Sequence, residues 1–143
     1  MTSTVSLPGE IIVDNLDPGF STEGTWTTDS KSDMLQYGSN FVYKRAGDGT
    51  GRAIFTPGIQ VAADYEVYVW WIKCWVCATN APFTINYAGG STTIAVNLND
   101  RTKAGQWNSL GVYPFDEGAL ASIVLTDNAD GRLIADAIRL VKK

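Results

Sequence analysis

The sequence contains no histidine among its 143 residues. This absence excludes Ser-His-Asp and Cys-His catalytic arrangements and removes the usual general base near neutral pH. Histidine is also the commonest protein ligand of metal ions, so a metal centre that depends on imidazole is not expected. Any catalysis would have to rest on carboxylates, as glycoside hydrolysis does.

Carboxylates are available, but their spacing identifies no catalytic pair. The chain is also small for a glycosidase cleft, and composition alone does not establish a reaction. We therefore expect a protein that is not an enzyme. The acidic residues considered for such a pair are Asp14, Asp17, Glu66, Asp127 and Asp136.

The sequence has no long apolar run and no basic stripe. No apolar segment approaches the roughly 20 residues that span a bilayer, so membrane insertion is not expected. The net charge is −4 and the Lys and Arg residues are scattered, which argues against nucleic acid as a partner. The N-terminal stretch MTSTVSLPGE lacks the charged and apolar regions of a signal peptide. The chain is then made in the cytoplasm, exported by another route, or part of a longer secreted protein.

Cysteine is scarce, with only Cys74 and Cys77. A zinc site needs four ligands, and a thioredoxin-like motif needs a helix after its first cysteine, which the sequence does not predict. Residues three apart cannot bridge within a regular strand, although they can in a loop. We expect two free or loosely paired thiols, with a disulfide as the second possibility.

What the sequence does contain is short β-rich runs separated by Gly, Asn, Asp and Pro. This punctuation is typical of a β-sandwich or barrel, and no window shows a helical period. The length suits one domain, which we place at residues 10–143 after an N-terminal arm at residues 1–9. The predicted strands are Glu10–Asp14, Gly24–Thr27, Asn40–Lys44, Arg52–Thr56, Asp64–Trp71, Pro82–Tyr87, Thr92–Leu98, Trp107–Phe115, Ser122–Thr126 and Leu133–Val141.

Alternation along the run Tyr65–Trp71 assigns one face of this strand to the core. Every second residue from Tyr65 is apolar or aromatic, which predicts that Trp71 is buried as a structural residue. The intervening positions point outward, among them Tyr68 and Trp70. We expect Trp107 to be a core residue as well, because buried aromatics contribute most to stability.

Asp136 falls on the core-facing phase of the last predicted strand. A carboxylate there must be hydrogen-bonded, bound to a cation or neutralised. A structural role with protein partners is the first expectation. A structural calcium site is the second, because Ca²⁺ prefers oxygen ligands from several loops, and no other cofactor is expected. The candidate calcium ligands are Asp14, Asp17, Asp127 and Asp136.

Exposed aromatic residues point to a polysaccharide as the ligand. Tyr68, Trp70 and Trp75 are the best candidates for exposure, and flat aromatic faces stack on the C–H faces of sugar rings. Neighbouring polar side chains then bond the hydroxyl groups, and an acidic sugar would favour cations. The polar ligand-binding candidates are Arg52, Lys73 and Asn80.

Several blocks of the sequence occur in the same order as in a known family. The chain resembles the golvesin C-terminal-like domain, which is similar to the carbohydrate-binding module attached to bacterial xanthan lyases. The resemblance covers residues 10–141. It implies an all-β fold, a two-layer antiparallel β-sandwich of jelly-roll type, and a non-catalytic module of secreted or surface proteins. The blocks are IVDNLDPGFSTEGTW (Ile12–Trp26), YGSNFVY (Tyr37–Tyr43), YEVYVWW (Tyr65–Trp71), ATNAPFTI (Ala78–Ile85), GQWNSLGVYPF (Gly105–Phe115) and ADAIRLV (Ala135–Val141).

The segment IKCWVC (Ile72–Cys77) departs from the family pattern, in which this segment is usually a polar loop. An apolar loop also suits a protein–protein contact. The alternative function is therefore a structural subunit of a larger assembly, such as a virion head-decoration or tail protein, with other protein subunits as partners. The expected location is extracellular or on a virion surface. The resemblance also implies that Asp14 and Asp136, which lie in shared blocks, are architectural.

Overall fold

Alternation of apolar and polar residues over short runs gives this chain strands and almost no helix. The computed structural model describes residues 9–143, so the predicted arm lies outside the described residues except for Gly9. Within the described residues, a single 3₁₀ turn is present at Ser32–Met34. The strands are β1 (Glu10–Asp14), β2 (Phe20–Glu23), β3 (Thr27–Asp29), β4 (Phe41–Lys44), β5 (Arg52–Phe55), β6 (Ala63–Trp70), β7 (Ala81–Tyr87), β8 (Gly90–Val96), β9 (Asn108–Phe115), β10 (Ser122–Thr126), β11 (Leu133–Ala135) and β12 (Ala137–Lys142).

The strands form two large sheets and one small sheet. The first sheet has the order β1-β12-β6-β9, and the second has the order β2-β5-β10-β7-β8. The small sheet, β11-β4-β3, continues from the first because only Asp136 separates β11 from β12. All strand pairs are antiparallel. The fold is the expected two-layer β-sandwich of jelly-roll type.

The core lies between the two large sheets. On β6, Tyr65, Val67 and Val69 are each 3% exposed or less, which confirms the core face that alternation predicts. The opposite layer contributes Phe83 and Ile85 from β7, both at most 1% exposed. Among residues 9–143, no helix is long and apolar enough to cross a bilayer.

The last predicted strand is divided at Asp136. The Asp136 carbonyl accepts a hydrogen bond from the Asn15 amide at 2.9 Å, and its carboxylate accepts one from the Tyr37 amide at 2.8 Å. These bonds to loops replace the regular ladder, so β11 and β12 pair with different neighbours.

One predicted strand, Gly24–Thr27, is wrong. Gly24 has a φ of +89°, which is a left-handed conformation outside the extended region of strands. The chain therefore turns between the end of β2 and the start of β3. The other predicted strands agree with the observed ones within two residues at each end, apart from the division at Asp136.

Candidate functional site

The loop that joins β6 to β7 is held by backbone hydrogen bonds at both ends. The Lys73 amide donates to the Met34 carbonyl at 2.8 Å, and the Ala78 amide donates to the Arg132 carbonyl at 2.9 Å. The Arg132 amide donates in turn to the Val76 carbonyl at 3.1 Å. These bonds give defined positions to side chains that lie outside any regular strand.

Cys74 and Cys77 form a disulfide within this loop, with their Cα atoms 5.6 Å apart. The expectation of free or loosely paired thiols is therefore wrong. The chain has left β6 at Trp70, and the loop conformation brings both cysteines to one side, which a regular strand could not do. Both residues are buried, at 6% and 5% exposure, so the disulfide closes a tight turn on the side that faces the protein interior.

The turn places Trp75 and Val76 at its tip, where they are 59% and 61% exposed. Beside the tip lies a cavity of about 270 Å³, which we call the loop pocket. This size suits one unit of a larger ligand rather than a whole polymer. The side chains that line the loop pocket include Met34, Tyr43, Lys73, Trp75, Val76 and Arg132.

Three cations and one carboxylate, Asp29, line the loop pocket. Lys31, Lys73 and Arg132 all line it, and within residues 9–143 only Lys31 has a carboxylate partner, Asp29 at 3.8 Å. The Arg132 guanidinium lies 4.5 Å from the centroid of the Tyr43 ring. The charge at the loop pocket is therefore opposite in sign to the net charge of the whole chain, which is −4.

Trp75 is supported by a polar network. The Arg101 guanidinium lies 5.2 Å from the centroid of the Trp75 ring, and Arg101 Nη1 donates to Asn99 Oδ1 at 2.8 Å. Asn99 Nδ2 donates to the Cys77 carbonyl at 3.0 Å, which ties the network to the disulfide turn. No group in the described part of the chain accepts a hydrogen bond from the Trp75 indole N–H, so this donor is available to a ligand.

Asn80 and Arg52, two of the predicted ligand-binding residues, do not line the loop pocket. Asn80 Oδ1 accepts a hydrogen bond from the Asp130 amide at 2.9 Å, which stabilises the connection between β10 and β11. Arg52 lies on β5, and its Nε is 3.0 Å from Glu23 Oε1. Of the predicted ligand-binding residues, only Trp75 and Lys73 line the loop pocket.

Tyr68 and Trp70 lie elsewhere, on the outer face of the first sheet. The ring centroids of Tyr37, Trp70 and Trp107 are 5.2 to 5.4 Å apart. The Arg139 guanidinium lies 5.3 Å from the centroid of the Tyr68 ring and 5.9 Å from that of Trp107. We call these five residues the outer-face cluster.

Trp107 was expected in the core, and this expectation is wrong. Trp107 immediately precedes β9 and packs beside Trp70 on the outer face, where it is half-buried. Trp71, in contrast, is 3% exposed and belongs to the core. Its indole N–H donates to the Asp100 carbonyl at 3.2 Å.

Asp127, one of the candidate calcium ligands, is already engaged with other partners in the protein. Its carboxylate is 1% exposed, with Oδ2 2.7 Å from Lys44 Nζ and Oδ1 accepting a hydrogen bond from the Gly49 amide at 2.7 Å. Burial alone would raise the pKa of Asp127. The bonds from Lys44 and Gly49 outweigh burial and lower this pKa below its ordinary value. Asp127 therefore forms an internal ion pair.

Asp14, Asp17 and Asp136 lie near the end of β1. The Asp14 amide donates to Asp17 Oδ2 at 2.9 Å, and Asp136 Oδ1 is buried without a hydrogen-bond partner among residues 9–143. Burial raises the pKa of Asp136 to about 8, with a further contribution from the charge of Asp14 and an opposing one from the Tyr37 amide. Burial also raises the pKa of Asp14 to about 6. Residues 9–143 contain no group of three or more His, Cys, Asp or Glu side chains placed to hold a metal ion, and calcium stays a prediction.

The carboxyl groups with the most strongly shifted pKa values are not placed for acid–base chemistry. Asp136 is 1% exposed and cannot touch an external substrate. Glu66 accepts a hydrogen bond from the Ser109 hydroxyl at 2.6 Å and lies 2.9 Å from Lys143 Nζ, and these contacts lower the pKa of Glu66 to about 2. Neither residue can donate a proton to a substrate near neutral pH.

Sequence reasoning missed the residues that distant segments bring to these two surfaces. Tyr43 gave no usable signal, because it shares its phase on the strand with Phe41, which is 2% exposed. Tyr37, Arg101 and Arg132 come from loops, where no periodic pattern marks a side chain as part of a surface.

Comparison with solved structures shows which fold this chain shares with other proteins. The chain superposes on the family 35 carbohydrate-binding module from Clostridium thermocellum with a TM-score of 0.66 and 13% identity, covering 91% of this chain and 97% of that one. At this identity the similarity shows the fold alone, a β-sandwich of the carbohydrate-binding-module kind. The chain also superposes on Paenibacillus xanthan lyase with a TM-score of 0.89 and 35% identity, covering 98% of this chain and 14% of that one.

Comparison of the amino-acid sequence with known families identifies the family of this chain. The Golvesin C-terminal domain matches residues 11–142, and the chain belongs to that family, which confirms the resemblance seen in the sequence. The chain is also 35% identical to the xanthan lyase of Bacillus sp. (strain GL1), in an alignment 145 residues long that covers 94% of this chain. It spans only 15% of the length of that relative.

Proposed function

We propose that this chain is a non-catalytic module that binds polysaccharide outside the cell, with the loop pocket as its binding site. The main support is Trp75, an exposed ring beside a cavity, whose indole N–H has no acceptor among residues 9–143. An aromatic wall with a few fixed polar groups is the usual construction of a ligand site. The fold shared with carbohydrate-binding modules is consistent with this function.

The charge of the loop pocket favours an acidic polysaccharide. Lys73 and Arg132 line the pocket without a carboxylate partner in the described residues, so an anionic group of the ligand would neutralise them. The chain is similar to proteins named as xanthan lyases, which makes xanthan the first polymer to test.

The disulfide supports an extracellular location. Disulfides such as Cys74–Cys77 persist in oxidising compartments and are rare in reducing cytosol. The alternative expectation, a structural subunit of a virion, receives no support from the relatives described above.

Affinity electrophoresis tests the proposal directly. We expect native gels that contain xanthan or polygalacturonate to retard the wild-type chain, and Trp75→Ala to weaken binding by at least about tenfold, or about 1.4 kcal/mol. Leu120→Ala is a matched control, because Leu120 is a large apolar residue that is 98% exposed and does not line the loop pocket. Equal retardation of Trp75→Ala and wild type would exclude the loop pocket. A fall in polymer viscosity on incubation would exclude a non-catalytic role.

A further inference from the structure

The outer-face cluster is an organised aromatic surface that the loop pocket does not include. Tyr68 and Trp70 point outward from β6, and register places Arg139 of β12 beside Tyr68. Tyr37 and Trp107 reach the same place from outside the strands. The planes of the Trp70 and Trp107 rings meet at 73°, so one ring presents its edge to the other and they are not stacked in parallel.

Hydrogen bonds hold this cluster before any ligand arrives. The Trp70 indole N–H donates to the Leu35 carbonyl at 2.8 Å, and the Tyr37 amide donates to the buried carboxylate of Asp136 at 2.8 Å. Side chains that are already fixed lose little entropy on binding, so preorganisation favours affinity.

The charges beside the outer-face cluster are paired within the chain. Arg139 Nε lies 2.6 Å from Glu10 Oε2 as an ion pair, and Lys143 Nζ lies 2.9 Å from Glu66 Oε1. An incoming anion would therefore find no unpaired cation at these positions. This arrangement complements a ligand without charge, in contrast to the loop pocket with its unpaired cations.

Groups that can bond hydroxyls lie among the rings. The Trp107 indole N–H has no acceptor in the described part of the chain, and the Tyr68 and Ser109 hydroxyls, both hydrogen-bonded to Glu66, lie on the same face. Sugar rings present both C–H faces and hydroxyl groups, so aromatic rings interspersed with polar groups match them. An obligate contact with a second copy of the chain would favour a wide and more apolar surface. Here Arg139 and Glu66 interrupt the apolar surface.

We propose that the outer-face cluster is a second saccharide site, which binds neutral polysaccharide through the parts of the Trp107 and Tyr68 rings that stay exposed beside Arg139. This site goes beyond the proposed function, because it is a separate surface with the opposite charge preference. The chain would then bind two kinds of polymer, or two parts of one polymer, through independent surfaces.

The test uses affinity electrophoresis in gels with hydroxyethyl cellulose, glucomannan or dextran, all of which are neutral. We expect at least one polymer to retard the wild type, and Trp107→Ala and Tyr68→Ala each to weaken that binding by about tenfold or more. Trp75→Ala and Leu120→Ala should bind as the wild type does. Circular dichroism checks that each variant folds, and Tyr68→Ala keeps the test valid if Trp107→Ala does not fold.

Three results would overturn this inference. The first is a wild type that none of the neutral polymers retards. The second is binding that survives Trp107→Ala and Tyr68→Ala, or that disappears in Trp75→Ala. The third is a wild-type dimer in sedimentation velocity that Trp107→Ala converts to monomer, which would make the cluster a contact between copies. Parallel gels with polygalacturonate keep these failures distinct from a failure of the loop pocket.

Discussion

The loop pocket and the outer-face cluster both present tryptophan to solvent, yet the chain supports them in different ways. The loop pocket is shaped by the Cys74–Cys77 disulfide, and the backbone of this turn is tied to Asn99 and Arg132. The outer-face cluster is tied through Tyr37 to Asp136, a buried carboxyl group whose pKa is raised to about 8. A covalent cross-link and a titratable group respond to different conditions, so the two surfaces can be disturbed separately.

The largest expected effect is the pH dependence of stability at Asp136. This carboxyl has an ordinary pKa of 3.8 when exposed and about 8 in the fold, so between these values the folded state holds a proton that the unfolded state has lost. The free energy of unfolding should therefore fall as pH rises through this window. Asp136→Asn should remove most of this slope, which urea unfolding at pH 5 and pH 8 would measure.

Asp127→Asn is the matched control for this titration, because its pKa shift has the opposite sign. The pKa of Asp127 is lowered by Lys44, so its stabilising contribution is present near neutral pH and is lost as pH falls through the acid range. Removing the charge should cost about 3 kcal/mol at pH 7, as expected for a broken buried ion pair. If Asp136→Asn and wild type show the same pH slope, the raised pKa of Asp136 in the fold is wrong.

Calcium would alter the same corner. A cation between Asp14, Asp17 and Asp136 would keep these carboxylates ionised. Its positive charge would then offset the free-energy cost of burying their negative charges. At a calcium concentration one hundred times the dissociation constant, binding would stabilise the fold by about 2.7 kcal/mol. Thermal unfolding with calcium chloride or with EDTA measures this effect. The calcium prediction fails if both midpoints agree, or if Asp136→Asn retains the difference.

Reduction of the disulfide should affect the loop pocket. Loss of a cross-link over a short loop costs roughly 2 kcal/mol by the chain-entropy relation. We expect Cys74→Ser with Cys77→Ser to lower stability by about this amount and to weaken binding of polygalacturonate several-fold, because Trp75 loses its fixed position. Binding of neutral polymers at Trp107 should not change. Equal losses for both polymer types would show that the two surfaces are not independent.

The smallest expected effect is electrostatic. Replacing Lys73 or Arg132 by Gln, one residue at a time, should weaken binding of polygalacturonate by a few-fold at low salt and by less at high salt, because ions screen exposed charges. Lys142→Gln, an exposed cation that does not line the loop pocket, is the control for net charge. Isothermal titration calorimetry at two salt concentrations measures the difference. A loss that is independent of salt would point to packing by these side chains rather than to charge.

The sequence predicted the sheets well because one side of each central strand is buried. The alternation in β6 determines which side chains face the core, and the same alternation correctly placed Tyr68 and Trp70 outside. Asp136 was recognised as buried because it interrupts an apolar phase. These features depend on residues that are close together in the chain, so the local pattern of apolar and polar residues is enough to predict them.

The functional surfaces were harder to predict because they depend on loops. The disulfide depends on the conformation of a turn, which an alternating pattern of apolar residues does not predict. Trp107 comes just before its strand, so alternation along that strand does not tell which way its side chain points. Arg101 and Arg132 reach Trp75 and Tyr43 from distant segments. The predicted site was therefore divided into two surfaces, and Arg52 and Asn80 belong to neither.

The most direct test of the central claim is a titration of the five tryptophan indole N–H signals by NMR with an acidic oligosaccharide. The loop pocket requires the Trp75 signal to shift with saturation, while Trp71, buried and bonded to Asp100, stays in place. An unchanged Trp75 signal, at ligand concentrations that saturate binding, would contradict the account.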